Sequence, residues 1–313
     1  LRPTGIPSIG PSFRISKPHL SSVCNMGRQL QCSCRVLVLL VACATALHPT
    51  RFIGVSNASK PKLQIIIAGL PKTATTSLSS ALMLLGRPVC HDTCTSANPN
   101  SENLKLWEDT GDIAPRVDEI LNQKLGEVYA DVPDFTNTSS PVYKYRDMTF
   151  VGVGDVPFCY KLKELLEMNP EAKVILSVHP GGPEGWLSSA LEYSSDLRTP
   201  IGQTVLNAHI YPSLHQKFML EENQKALAPC NLLAPEIDES MREICKKRYE
   251  DWEDEVRSVV PPANFLRFNA SDGWDPLLSF FGAESPGVPF PQQNTETEEM
   301  HMLTDGLKKS QES

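Results

Sequence analysis

The sequence predicts an α/β fold in three layers, a central parallel sheet flanked by helices, with a phosphate-binding P-loop leaving its first strand. Two observations carry this. Ile65-Ile66-Ile67 is a short, continuous β-branched run, the pattern of a central parallel strand covered on both faces. Strand-like and helix-like runs then alternate along the chain, which implies crossover connections and a parallel sheet.

The first strand is followed by the loop Gly69-Leu-Pro-Lys-Thr-Ala-Thr-Thr-Ser77. Leu78, Ala81, Leu82 and Leu85 recur at helical spacing, and Gly86 supplies a stop. Tyr160 to Met168 reads as an amphipathic helix ended by Asn169-Pro170, and Lys173 to Val178 as a second buried strand. A long helix is predicted over Ile237 to Val259. Met241, Cys245, Trp252, Val256 and Val259 form its apolar stripe, and Pro261-Pro262 stops it. Asn264 to Phe268 is a further strand. The segments Ser96–Gly126 and Thr199–Pro235 carry weak periodicity and many turn residues. They are expected as substrate-side insertions over the carboxyl edge of the sheet, where ligands bind in such folds.

The domain is expected over residues 60–294. Residues 1–25 read as a non-native or untranslated leader, with Met26 as the start. Residues 26–46 read as a signal peptide or short anchor: Arg28 and Arg35 flank the apolar run Val36 to Ala46. That run is shorter than the roughly 20 apolar residues of a membrane span; a buried core segment is the alternative. Sequons at Asn57, Asn137 and Asn269 agree with a secretory route. The lumen of the Golgi or secretion is therefore expected, with a two-part plastid presequence as the weaker option. Membrane attachment is expected only if the apolar segment stays uncleaved. Residues 295–313 read as a disordered tail. Cys24, Cys32, Cys34 and Cys43 would leave with the leader. The remaining Cys90, Cys94, Cys159, Cys230 and Cys245 allow at most two disulfides and one free thiol, with connectivity open. A net charge of −8 and a pI near 5.4 argue against a nucleic-acid partner, so an anionic ligand needs a local, preorganised site.

The loop supplies one. A turn between a buried strand and a helix N-terminus points backbone N–H groups at an anion. Lys72 adds a point charge, Thr73, Thr75, Thr76 and Ser77 add hydroxyls, and Ala74 keeps the turn narrow. A nucleoside triphosphatase needs Gly-Lys-Ser/Thr at the helix start, with the hydroxyl on Mg²⁺. Here the lysine stands early in the loop, where a cation reaches the bridging oxygen of a leaving phosphate without a metal. A Thr-rich cap on an ordinary helix is the bland alternative.

Pro71-Lys-Thr-Ala-Thr-Thr-Ser-Leu78 resembles the 5′-phosphosulfate loop of sulfotransferases that use 3′-phosphoadenosine 5′-phosphosulfate (PAPS). It is more similar to a divergent P-loop sulfotransferase family whose loop reads Gly-x-x-Arg-Thr-Gly-Thr-Thr-Ser-Leu. Leu85-Gly86 with Pro88-Val-Cys90-His91 looks like that family's Leu-Gly…Pro-Cys-Tyr-His. Asp155-Val-Pro157-Phe158, a helix, and Asn169-Pro-Glu-Ala-Lys-Val-Ile-Leu176 look like its Asp-x-Pro block. Gly273-Trp-Asp-Pro-Leu277 and Pro289-Phe-Pro-Gln-Gln-Asn294 resemble its closing signatures. The resemblance implies sulfuryl transfer from PAPS, as co-substrate and without a metal, to a hydroxyl or amine of a glycan or small molecule. It does not speak to oligomeric state. A catalytically impaired relative that binds a nucleotide or other ligand is the first alternative, and a P-loop kinase or NTPase the second.

In that family an arginine and a serine after the second long strand hold the 3′-phosphate, within Val-Arg-Asp-Pro-Glu-Ser-Trp-Tyr-x-Ser. Here the stretch is Val178-His179-Pro-Gly-Gly-Pro-Glu184-Gly-Trp186-Leu-Ser188-Ser189, two residues longer. The resemblance implies Ser189, with Ser188 as substitute, at the 3′-phosphate. It puts His179 where the arginine stands, and a histidine is a weaker phosphate clamp than a guanidinium. Arg198, or extra backbone donors from Gly181-Gly182, would have to compensate; a plain strand-end role for His179 is the alternative. His91 and Asp155 are the candidate bases beside Lys72. Asp155 also suits a helix cap, and Asp131-Val-Pro133-Asp-Phe135 repeats its surroundings at the wrong distance from Lys173. Cys90, His91 and Cys94 lack a fourth zinc ligand, so a local disulfide or two thiols is expected there.

Overall fold

The computed structural model describes residues 62–292, apart from 92–93, 95–97, 99, 141 and 210–212. The expected leader, the signal segment, the sequon at Asn57 and the tail lie outside the described residues. Among the described residues, no helix is long and apolar enough to cross a membrane.

Five parallel strands form one sheet in the order β2-β3-β1-β4-β5. They are β1 (Ile65–Ile67), β2 (Val89–Cys90), β3 (Gly152–Gly154), β4 (Lys173–Val178) and β5 (Phe265–Asn269). Side chains alternate across it. Ile66, Val153, Val174, Leu176 and Val178 join one core. Ile65, Ile67, Val89, Ile175 and Phe268 join the other, beneath Leu78, Ala81 and Leu82 of the helix Thr75–Leu84. This is the expected α/β architecture.

The expected strands and helices are present with shifted ends. The long helix runs Glu239–Val259, because Asp238 caps it by accepting the Met241 N–H at 2.8 Å. Tyr160–Met168 starts as a 3-10 turn over Phe158–Lys161 before the helix Leu162–Met168. The two insertions are more helical than their composition implies. Glu102–Thr110 and Ala114–Leu121 occupy the first, Pro200–Asn207 and Leu214–Leu227 the second. Their apolar residues, such as Leu104, Trp107, Ile120 and Phe218, dock on the core, and that tertiary burial outweighs weak local periodicity.

Strand β3 carries glycine for a spatial reason. A Cβ at Gly154 would stand 2.7 Å from the Cβ of Ile67, so only glycine lets β3 lie flat against β1. Beside β1 the strand order changes direction, and ligands of such sheets bind outside the carboxyl ends at that point. The loop 69–77, His91, Asp155 and His179 all emerge on that edge.

Candidate functional site

The loop after β1 is held by side chains from distant elements. The indole N–H of Trp252 donates to the Ala68 carbonyl at 2.8 Å, and that of Trp186 to the Pro71 carbonyl at 2.9 Å. These bonds pair both carbonyls within the protein and fix the backbone at each side of the turn. Lys72 and Ala74 both take positive φ, 67° and 62°, and Ala74 is the helix N-cap in the left-handed region. An alanine has no side-chain cap to offer and the first turn has no acidic residue, so the helix end keeps its donor character.

The hydroxyls divide into two sets. Thr73 is buried; its hydroxyl donates to the Leu70 carbonyl at 2.6 Å and lies 2.8 Å from Ser177 Oγ. It closes the turn from inside instead of facing a ligand. A Cβ on Gly69 would collide with Ser177, which is why that position is glycine. Thr75 is also buried, but its Oγ1 lies 2.8 Å from His91 Nε2. Thr76 and Ser77 complete the first turn, Ser77 buried and Thr76 partly exposed. The Lys72 ammonium sits 4.8 Å over the ring of Tyr193, an exposed residue.

His91, after β2, and Asp155, after β3, meet at this loop. His91 Nε2 lies 3.4 Å from Asp155 Oδ2, on the atom that also meets Thr75. Nε2 thus stands between a carboxylate oxygen, which only accepts, and a hydroxyl, which can donate or accept. Asp155 has φ 63°, a left-handed backbone that a non-glycine residue holds only where the surroundings enforce it. The 3-10 turn that follows is capped from Pro157 without a side-chain bond, so the Asp155 carboxyl is committed to His91 and not to capping. Asp131 stands two residues before the short helix Pro133–Thr136, which contains Phe135. Cys90 and Cys94 are bonded to each other and Cys230 to Cys245, leaving Cys159 as a buried thiol. Burial, together with the nearby Asp155, pushes that thiol well up, which makes it unreactive.

At the other end, His179 follows β4 directly. Its backbone N–H donates to the Tyr249 hydroxyl at 2.9 Å. Its Nδ1 accepts the Gly181 N–H at 3.0 Å, and its Nε2 is 3.3 Å from Ser189 Oγ. Burial lowers its pKa, so the ring is neutral. Ser188 is exposed on the same helix, Gly182–Tyr193.

Sequence reasoning missed two groups here. Arg116 is fully buried, with its Nη1 2.9 Å from Glu119 Oε2 and 3.2 Å from Ser101 Oγ. His215, buried on the helix Leu214–Leu227, has its pKa lowered to about 4 by burial and by Arg116, against an opposing pull from Asp155. Both lie in the insertions, where no motif marks them. The signal available was a charged or titratable residue one place from a helix start or flanked by apolar neighbours.

A family described as a sulfotransferase domain matches residues 64–299. A protein of Aspergillus versicolor, Ava biosynthesis cluster protein M, is 26% identical over 242 residues, covering 73% of this chain and 80% of that protein.

Proposed function

The chain belongs to the sulfotransferase-domain family, and from that premise we propose that it transfers a sulfuryl group from PAPS to a hydroxyl or amine of a glycan or small-molecule acceptor. The observation that supports this best is the meeting of Asp155, His91 and Thr75 at the edge of the Lys72 loop. A carboxylate that could accept a proton thus lies beside the loop proposed to hold the anion.

PAPS supplies an activated sulfuryl group on a phosphate leaving group. Pro71 to Ser77 would hold that phosphate through backbone amides and the helix N-terminus. Thr73 contributes only its backbone, since its hydroxyl is used within the fold. Lys72 is free to swing from the Tyr193 face, because a cation–π contact at an exposed ring costs only about 0.5–1 kcal/mol to leave. There it neutralises the charge that grows on the bridging oxygen as the sulfur–oxygen bond breaks. The acceptor oxygen bonds to sulfur and gives its proton to Asp155, whose carboxylate lies against His91 Nε2. His91 in turn is placed by its hydrogen bond with Thr75, so the imidazole links the loop to the base.

The expected apolar leader and the sequons support a lumenal or secreted protein. Asn137 is exposed, as a glycan acceptor requires.

Calorimetric titration of the full chain with adenosine 3′,5′-bisphosphate tests the reading. Binding in the micromolar range is expected, weakened at least tenfold by Lys72→Ala. Absence of heat, or an unchanged affinity in the variant, would overturn it.

A further inference from the structure

Among the described residues, the stretch after β4 brings no cation to the nucleotide side of the site: a histidine, His179, stands there. The His179 ring does not reach outward. It lies against the helix that follows it, where a Cβ on Gly185 would stand 2.6 Å from Nδ1, so the missing side chain at 185 makes room for it. Because Nδ1 accepts the Gly181 N–H, the ring hydrogen is on Nε2, facing Ser189. The two inserted glycines add no outward donors. The Gly181 N–H is taken by the His179 ring, and the Gly182 N–H by the His179 carbonyl at 2.9 Å.

Cations on the neighbouring elements are committed elsewhere. Arg198 donates Nη2 to the Leu191 carbonyl at 2.7 Å, and its Nε is buried without a hydrogen-bond partner, so that edge of the guanidinium is turned into the protein. Lys246 is bound by Glu184 at 3.0 Å and by Glu243. Arg267 is bidentate on Glu253, at 2.6 and 3.2 Å. Glu184, on the first turn after His179, would repel a phosphate that approached Lys246.

We propose that the donor site does not select for the 3′-phosphate, so that adenosine 5′-phosphosulfate binds nearly as well as its 3′-phosphorylated form. This rests on the phosphosulfate reading of the Lys72 loop and concerns the opposite end of the same ligand. A bidentate guanidinium on the 3′-phosphate would favour the bisphosphate by roughly ten- to a hundredfold. A neutral imidazole beside the Ser189 hydroxyl forgoes most of that.

The test compares adenosine 5′-monophosphate with adenosine 3′,5′-bisphosphate by calorimetry on the full chain. Dissociation constants within tenfold of each other are expected. A bisphosphate preference above tenfold overturns this inference and leaves the proposed function standing. Binding of neither nucleotide overturns both. His179→Arg is expected to raise the bisphosphate preference at least tenfold while the monophosphate affinity stays level. The same ratio as wild type in that variant would also overturn the inference.

Discussion

The Nε2 atom of His91 stands 3.4 Å from Oδ2 of Asp155 and 2.8 Å from Oγ1 of Thr75, so one ring nitrogen ties the candidate base to the anion loop. Two adjacent strands, β2 and β3, deliver these groups to the same sheet edge, and β3 lies beside β1.

Asp155→Asn is expected to lower kcat by about 10²–10⁴, the usual span for a positioned base. Its affinity for adenosine 3′,5′-bisphosphate should stay within threefold of wild type. His91→Gln, which keeps a donor near the carboxylate, should cost kcat much less. Steady-state kinetics with parallel calorimetry reads both. A kcat within tenfold of wild type for Asp155→Asn would remove Asp155 from the proton-accepting role.

The two indoles that hold the loop should separate stability from binding. Trp252→Phe strips the donor from the fully buried Ala68 carbonyl, which costs about 1–3 kcal/mol. Pro71 is partly exposed, so water can replace the Trp186 indole there. Trp186→Phe should therefore lower Tm less than Trp252→Phe and weaken nucleotide binding more. Thermal unfolding and calorimetry on the pair check the order, and a reversed ranking would contradict it.

Ala74 holds a left-handed backbone that costs an L-residue roughly 1–2 kcal/mol and a glycine almost nothing. Glycine's larger unfolded-state entropy takes back about 0.4–1 kcal/mol. Ala74→Gly should leave a small net gain, a Tm rise of roughly 1–4 °C for a domain of this size. A lower Tm in differential scanning calorimetry would show that the loop does not need that conformation.

Acid should destabilise the fold before its carboxylates titrate. His215 and His179 have folded-state pKa values below the ordinary 6.5, that of His215 at about 4. The unfolded chain therefore binds more protons in this window, so stability is complete above pH 6.5 and falls as pH drops towards 4. Glu119, lowered below 4.5 by Arg116 and its amide donors despite the raising effect of burial, adds its own loss only below that pH. Denaturant midpoints measured between pH 7 and 5 should decline in wild type and decline less in His215→Gln. Equal slopes would contradict the assignment.

Local chemistry made much of this legible in advance. Ile65–Ile67 and Lys173–Val178 announce buried strands because β-branched runs have few other uses, and the hydroxyl-rich turn behind the first of them announces an anion site. Strands β2 and β3 gave no such signal. One is two residues long, and the other is Gly-Val-Gly, whose glycines answer to Ile65 and Ile67 across the ladder. The insertion helices were hidden for a related reason, since their packing against the core stabilises them more than their periodicity does.

The sequence by itself determined the layer order of the fold, the loop and the residue types at each strand end, because strand period, helix stop and turn chemistry act over a few neighbouring residues. Tertiary structure decided what those residues do. Sheet order brought His91 to Asp155, and buried contact with Ser177 turned the Thr73 hydroxyl inward. The empty side-chain position at Gly185 drew the His179 ring against the helix that follows it, where burial keeps it neutral. Each of these depends on atoms far apart in the chain, so no local pattern could carry them.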